Sequence, residues 1–335
     1  MEFFRKLKAS LVALLVSPIK VISSTIEKFS GLKASFLDLL NHFKVLREAN
    51  IDLGKYHLME GNLKDANIRF WLTNKFFAKD DPENKYWHAW SFILAGKFRQ
   101  AEEKLNNNIY DKIGLYNYIA NRDTITTIPE EIDNEYTEIT SKSGVSRYFT
   151  PDVNLFDSLT SAMMTYIPQN SWTKTKGKYT ILEVGSFPFM MFDLQAYLPE
   201  LHEIDTINFK TQKSEIAKEY HDKHDIYNKI ATIKREAFEP IPNVKYEAII
   251  SIDSFSYSSN LIDNFKKIKL MLAKDGFAAL ALPKGHSVKL DPENNHFTYT
   301  EDFIKDQLLL ADFKSISITS IKTLKKFEYF MVIAK

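Results

Sequence analysis

The feature that most constrains this chain is a regular alternation of strand-like and helix-like segments between about residues 154 and 310. Short apolar, β-branched runs alternate with segments whose apolar residues recur every three or four positions. The expected strands are 179–184, 203–208, 232–235, 248–252 and 278–282, and the expected helices are 154–166, 190–198, 213–228, 260–272 and 300–310. Such alternation predicts a doubly wound parallel sheet covered by helices, with a ligand site beyond the carboxyl ends of its strands.

Several segments of this half occur in an order that resembles a known family. The first expected strand runs into Ile-Leu-Glu-Val-Gly-Ser-Phe-Pro-Phe at residues 181–189, and two β-rich runs close the chain. The other matching segments, in chain order, are 236–237, 241–242, 246–253, 270–276, 296–300 and 309–313, and the two final runs are 315–320 and 329–333. Together they resemble the class I S-adenosylmethionine-dependent methyltransferases. The resemblance implies an α/β fold with a seven-stranded, Rossmann-like methyltransferase sheet that ends in a hairpin, over residues 151–335.

The resemblance also implies which residues bind the cofactor, S-adenosylmethionine. In this family an acidic residue ends the first strand and glycine lets the backbone approach the methionine moiety, which points to Glu183, Gly185 and the adjacent Ser186. The end of the second strand faces the ribose hydroxyls, and Asn208 stands there. By the same resemblance, Glu236 and Ala237 flank the adenine.

Two departures from the family pattern bear on cofactor binding. Phe187, Pro188 and Phe189 occupy a loop where the family places small residues, which narrows or reshapes the pocket. Asn208 replaces the usual acidic residue, and an amide oxygen is a weaker acceptor for a hydroxyl than a carboxylate. Both departures favour an alternative interpretation, in which the fold is retained as an inactive scaffold that binds a protein partner.

Two residues are candidates for the catalytic step. Transfer of a methyl group to oxygen or nitrogen often needs a base for the acceptor proton, and histidine suits that role near neutral pH. His286 follows the fifth strand, where acceptors lie in this family, although a surface loop histidine is the simpler interpretation. Asp253 ends the fourth strand and either positions the acceptor or caps the following turn.

Several other functions find no support in the sequence. The dinucleotide fingerprint needs three spaced glycines after the first strand, where only Gly185 occurs, and no glycine-rich run ends in Gly-Lys-Ser or Gly-Lys-Thr. The chain has no cysteine, and its 44 basic and 43 acidic residues nearly balance, so we expect no nucleic-acid partner. His221 and His224 lie beside Asp222 and Asp225, but the pattern favours a solvated helix face over a metal site.

The first half of the chain has a helical pattern from Ser30 to about Ala120. Within it, Gly61-Asn-Leu-Lys-Asp-Ala66 and Gly96-Lys-Phe-Arg-Gln-Ala101 are 35 residues apart, and each is flanked by helical segments. The spacing resembles the tetratricopeptide repeat, with glycine at the turn and alanine where paired helices touch. We therefore predict an all-α, tetratricopeptide-like module over residues 1–120, which binds a partner or packs on its neighbour; a generic helical bundle is the alternative.

Six acidic residues between Asp123 and Glu138 follow this module with no basic residue among them. The run predicts a linker or a solvated edge over residues 121–150, between the helical module and the sheet. Carboxylates could also bind a metal ion, but their spacing fits no cation-binding loop.

The first 20 residues combine basic and apolar positions. The apolar run 11–16 is too short to span a bilayer, and no small-residue cleavage site follows it, so we expect a cytoplasmic protein. Phe3, Phe4, Leu7, Leu11 and Leu14 share one helical face, which would pack on the next helices or lie on a membrane surface.

From the sequence we expect an S-adenosylmethionine-dependent methyltransferase with a small molecule or a saccharide as acceptor. The residues do not identify that acceptor, because neither an Asn-Pro-Pro-Tyr-like motif nor a basic aromatic stripe occurs.

Overall fold

A computed structural model describes residues 26–140, 157, 158, 161, 179–185, 201–225, 227–323 and 328–335. Some predictions fall outside these residues. They concern the apolar face of residues 1–20, most of the helix expected at 154–166, the helix expected at 190–198, the proposed cofactor residue Ser186 and the loop 187–189. In the described part of the chain, no helix is both long enough and apolar enough to cross a membrane.

The helical prediction for residues 30–120 is confirmed. The helices of this half are α1 (Ile26–Met59), α2 (Leu63–Leu72), α3 (Pro82–Ile93), α4 (Phe98–Leu105), α5 (Leu115–Ala120) and α6 (Glu130–Thr140), with a π-helical turn at Thr73–Phe77 between α2 and α3.

Two helix pairs, α1–α2 and α3–α4, show the turn chemistry expected from the repeated segments. Gly61 and Gly96 each have a positive φ at the turn, 74° and 68°, which glycine adopts without strain. Ala66 and Ala101 are fully buried, so they leave room for close helix approach. The assignment of these pairs to the tetratricopeptide repeat stays a prediction.

The acidic run differs from the expectation of a solvated linker. Residues 130–140 form α6, and Ile132, Asp133 and Tyr136 on its inner face are buried. The expectation was wrong for Asp133, because this carboxylate lies beside basic side chains of the second half of the chain, which compensate its burial. The boundary between the two halves stays a prediction.

The second half contains β1 (Tyr179–Val184), β2 (Leu201–Asn208), α7 (Thr211–His224), β3 (Lys229–Thr232), β4 (Tyr246–Ile252), α8 (Ile262–Met271), β5 (Leu272–Pro283), β6 (Lys289–Asp291), β7 (His296–Thr298), α9 (Glu301–Leu310), β8 (Ile316–Lys322) and β9 (Glu328–Ala334). Seven strands form one sheet in the order β3-β2-β1-β4-β5-β9-β8. The first five are parallel, and β9 lies antiparallel between β5 and β8. This confirms the predicted Rossmann-like methyltransferase sheet with a closing hairpin.

Two element boundaries and one hairpin differ from the prediction. The third strand was expected at 232–235, but its pairing with residues 205–208 of β2 places it at Lys229–Thr232. The helix expected at 213–228 ends at His224, where Asp225 adopts a left-handed conformation with φ of 50°. The β6–β7 hairpin was not predicted, because strands of three residues carry too little periodicity to detect.

The core packs both halves of the described chain together. Buried side chains of α2 to α6 and of the sheet form one contiguous hydrophobic cluster. Within the sheet, the order changes direction between β1 and β4, since β2 continues from β1 on one side and β4 continues on the other. In open α/β sheets, ligands bind at such a switch point, outside the carboxyl ends of the strands.

Candidate functional site

Gly185 lies at the switch point, directly after β1. Its φ is 84°, and its amide donates to the carbonyl of Ile207 at 2.8 Å. A Cβ atom here would overlap the hydroxyl of Ser254, which follows β4 and donates to the carbonyl of Val184 at 2.8 Å. Backbone conformation and close packing therefore both require glycine at this position.

Glu183, the predicted acidic residue of β1, is buried, with an exposed fraction of 1%. Its carboxylate accepts a hydrogen bond of 2.9 Å from the hydroxyl of Tyr227, which is also buried. This bond holds the carboxylate inside the domain, where it lines neither of the cavities described below.

Asn208 ends β2, as predicted, and is also fully buried. Its carbonyl accepts from the amide of Ile233 at 2.9 Å. The next residue, Phe209, packs edge-on against the rings of Phe238, Phe255 and Tyr257, with ring centroids 5.7 to 6.2 Å apart. These aromatic side chains form an apolar floor beside the carboxyl ends of β2 and β4.

A small cavity opens over these strand ends, which we call the sheet-edge pocket. Its volume is about 20 Å³. It is lined by Gly185, Phe209, Lys210, Lys213, Arg235, Asp253, Ser254, Ser256 and Tyr257. The structure therefore brings two predicted site residues, Gly185 and Asp253, together, and adds three basic side chains that the sequence analysis did not single out.

Asp253 is buried directly after β4 and has a φ of 58°. One of its carboxylate oxygens accepts from the hydroxyl of Tyr329 on β9 at 3.3 Å, and its amide donates to the carbonyl of Ala281 at 2.9 Å. These contacts place the carboxylate at the pocket wall, where it can accept a hydrogen bond from a ligand.

His286 lies apart from this pocket. It is exposed in the loop between β5 and β6 and lines neither described cavity. The same loop contacts the start of β9. The amide of Lys284 donates to the carbonyl of Glu328, and the ammonium group of Lys284 lies 3.0 Å from the Glu328 carboxylate.

A larger and more open cavity, which we call the polar cleft, lies beside the sheet-edge pocket and has a volume of about 650 Å³. Glu236, predicted to flank the adenine, lines it from a 3₁₀ turn at Arg235–Ala237, whereas Ala237 is exposed on the same turn and does not. The opposite wall consists of residues 126–130 and the start of α8. Its charged lining consists of the acidic Glu130, Glu236 and Asp263 and the basic Arg235 and Lys267.

The residue that the sequence analysis missed is Asp133. From α6 its carboxylate reaches Arg235 and the ammonium group of Lys210, the latter at 3.0 Å, and accepts from the amide group of Asn295 at 2.8 Å. Lys210 also donates to the hydroxyl of Thr137, one turn further along α6. The sequence contained a signal for the burial of Asp133, which shares a helical face with Tyr136 and follows Ile132, but none for its partners in the second half of the chain.

Arg235 is the basic residue that links the two cavities. Its guanidinium lies 4.4 Å from the centroid of the Tyr257 ring, and it also donates to the carbonyl of Ile128 at 3.2 Å. Burial lowers the pKa of Arg235 to about 10, against the opposing effect of nearby Glu130 and Glu236. Arg235 remains a cation at neutral pH.

Over the described residues, no group of three or more histidine, aspartate or glutamate side chains is placed to hold a metal ion.

Comparisons with known proteins give structural similarity only. No protein-family model matches the sequence, and no curated protein matches it. The magnesium protoporphyrin IX methyltransferase of Synechocystis PCC 6803, with bound S-adenosylmethionine, aligns at a TM-score of 0.45 and 10% identity, over 62% of this chain and 96% of that one.

Two further solved structures are similar at the same level. A S-adenosylmethionine-dependent methyltransferase of Leishmania major aligns at a TM-score of 0.41 and 14% identity, over 53% of this chain and 74% of that one. Phosphoethanolamine N-methyltransferase 2 of Haemonchus contortus aligns at 0.43 and 10%, over 53% and 52%. The fold assignment rests on the strand order: the second half of the chain has a Rossmann-like methyltransferase fold.

Proposed function

We propose that the chain is an S-adenosylmethionine-dependent methyltransferase. The observation that carries the proposal is Gly185, which has a left-handed backbone at the switch point of the sheet and lines a pocket between the ends of β1, β2 and β4. A glycine in this position lets a ligand approach the backbone closely, as the methionine moiety of the cofactor requires.

Each of the two cavities would hold one part of that cofactor. The methionine part would lie in the sheet-edge pocket at Gly185, and the adenosine part would extend towards Glu236 and the polar cleft. Asn208 ends β2 but is fully buried and lines neither cavity, so its contact with the ribose would require the pocket to open, whereas Tyr257 lines both cavities and presents a ring on which the adenine can pack. When bound, the cofactor supplies an electrophilic methyl group.

The acceptor would approach from the same edge of the sheet. Asp253, which lines the sheet-edge pocket, would hold an acceptor hydroxyl or amine by hydrogen bonding. His286 would act as the base only if the acceptor reaches the exposed loop after β5. A small molecule or a saccharide is the acceptor class that we propose, with partner binding through the helical half.

One observation favours the second candidate, an inactive scaffold. The sheet-edge pocket has room for about 20 Å³, far below the roughly 300 Å³ that small-molecule sites usually provide. In addition, Asp133 on α6 forms ion pairs with Lys210 and Arg235, two of the basic side chains that line this pocket. A chain that never opens this pocket would keep the fold and lose the chemistry.

The deciding experiment is calorimetric titration of the folded protein with S-adenosylhomocysteine. We expect the wild type to bind and Gly185→Val to lose binding, because any Cβ atom at Gly185 would collide with the Ser254 side chain, and both residues line the sheet-edge pocket.

Gly114→Val is the matched control. Gly114 also has a positive φ, 76°, but nothing lies within 4 Å of its Cβ position and it lies at the start of α5. The control variant carries the same type of backbone strain and should bind normally. Wild-type protein that is folded but does not bind would reject the methyltransferase proposal in favour of the scaffold.

A further inference from the structure

The sheet-edge pocket and the polar cleft share one wall. Arg235 and Tyr257 line both cavities, and the guanidinium of Arg235 is stacked 4.4 Å from the centre of the Tyr257 ring. The pocket on one side holds about 20 Å³ and the cleft on the other about 650 Å³. A ligand as long as a nucleoside with an amino-acid side arm can reach Gly185 from the cleft only if this wall moves.

The wall is held from the helical half of the chain. Asp133 on α6 pairs with the guanidinium of Arg235, which also donates to the carbonyl of Ile128. The amide of Ile128 donates in turn to the carbonyl of Tyr257 at 2.8 Å. Both members of the wall are therefore attached to residues 128–133, which lie just before and within the start of α6.

A second arrangement of Arg235 is chemically reasonable. If its side chain left the wall, Asp133 would keep the ion pair with Lys210 and the hydrogen bond from Asn295. The guanidinium would move towards Glu130 and Glu236, which line the polar cleft and attract it. Neither charge would be left buried and unpaired, which is the usual obstacle to breaking a buried ion pair.

We propose that Arg235 is a gate between the polar cleft and the sheet-edge pocket, closed by Asp133 and opened when a nucleoside cofactor binds. The proposal rests on the proposed function, since the ligand that passes the gate is the methyltransferase cofactor. It makes α6 part of the control of the site. Cofactor binding and the Asp133–Arg235 contact then exclude each other.

The test is the kinetics of S-adenosylhomocysteine binding, measured by surface plasmon resonance on the immobilised full chain. Arg235→Ala removes the gate, and we expect its association rate constant to rise about tenfold over wild type, which corresponds to 1.4 kcal/mol of closure. Asp133→Asn keeps the shape of the side chain and releases the gate, so it should raise the same rate constant. This second variant carries the test if Arg235→Ala does not fold.

Lys234→Ala is the matched control, because Lys234 is exposed next to Arg235 and its removal changes the net charge equally. Its association rate constant should equal that of wild type. A faster dissociation of Arg235→Ala with unchanged association would show that Arg235 is a ligand contact, and would overturn the gate. Binding with unchanged rates in every variant also overturns it but leaves the cofactor assignment intact. Failure of all folded proteins to bind would remove both.

Discussion

His88 illustrates, at the scale of one residue, how burial controls protonation. On α3 its ring stacks on Phe92 at 4.4 Å and lies 5.7 Å from Phe70, and its Nδ1 atom is buried without a hydrogen-bond partner. Burial lowers the pKa of His88 from 6.5 to about 3, so the folded protein holds the neutral ring. Because His88 binds a proton more readily in the unfolded chain, its contribution to the free energy of unfolding decreases as the pH falls.

We therefore expect His88→Phe to weaken the acid sensitivity of the fold. In the wild type, the neutral His88 should contribute fully to the free energy of unfolding above pH 6.5. Between pH 6.5 and about 3 the free energy of unfolding should fall by about 1.4 kcal/mol per pH unit, and the phenylalanine variant should not show this loss. Urea unfolding at pH 7.5, 6 and 5 measures the difference. Any cost of the larger ring is independent of pH and cancels in that comparison.

His286→Gln is the control, because it removes an exposed histidine that lies outside the core around His88. Equal pH dependence of wild type and His88→Phe would contradict the neutral, buried ring.

Single residues also show what the sequence could and could not reveal. Gly185 was singled out through the family resemblance, and its left-handed φ and its close packing on Ser254 explain why glycine stands at the end of β1. The role of Asp133 was not predictable, since its partner Asn295 lies 162 positions further along the chain. An acidic run without nearby basic residues indicates solvation unless distant cations are folded against it.

Among the secondary-structure elements, α1 and α3 are connected by the side chain of Asp81. One of its oxygens caps α3 by accepting from the amide of Asn84 at 2.8 Å, and the other pairs with the guanidinium of Arg47 on α1 at 2.7 Å. The ion pair raises the pKa of Arg47 and stabilises the crossing of α1 and α3.

Substitutions at Asp81 should separate the two contributions. Asp81→Asn keeps a capping oxygen and loses the ion pair, whereas Asp81→Ala loses both. We expect alanine to cost about 1 kcal/mol more than asparagine in the free energy of unfolding, the usual value of an N-cap. Thermal and urea unfolding measure it. Equal losses in the two variants would show that the cap contributes nothing.

The bounds of helices and strands were predictable where an apolar pattern extends over many residues. They were not predictable where pairing with a distant strand determines them. The strands β1 and β4 occur within two residues of their expected ends, because continuous apolar runs in a parallel sheet are conspicuous. The position of β3 depended on its pairing with β2, and no local pattern contained that information.

At the scale of the whole molecule, Asn295 joins the two halves of the chain. Its oxygen accepts from the hydroxyl of Tyr118 at 2.8 Å, and its amide group donates to Asp133 at the same distance. Both partners belong to the helical half, and all three side chains are buried. The contiguous core across this contact suggests that the halves unfold together.

Asn295→Gly should therefore destabilise the helical half as well. Loss of two buried hydrogen bonds should cost about 2 kcal/mol, and glycine tolerates the positive φ of 49° at this position. Three of the four tryptophans, Trp71, Trp87 and Trp90, lie in the helical half, so tryptophan fluorescence during urea unfolding reports on that half.

Asn243→Gly is the control, with a φ of 61° and an exposed side chain. If Asn295→Gly does not change the urea concentration at the midpoint of the fluorescence transition, the two halves fold as independent domains, as the sequence predicts for residues 1–120 and 151–335.

The position of β9 has a consequence for how the protein is made. This strand, the last of the seven to be synthesised, lies between β5 and β8 rather than at an edge of the sheet. Until residues 328–334 join the sheet, the edge of β5 that faces β9 is unpaired and β8 has no partner strand. The chain therefore exposes an open edge of β5 until β9 joins the sheet, which is the interval when protection against edge-to-edge association matters most.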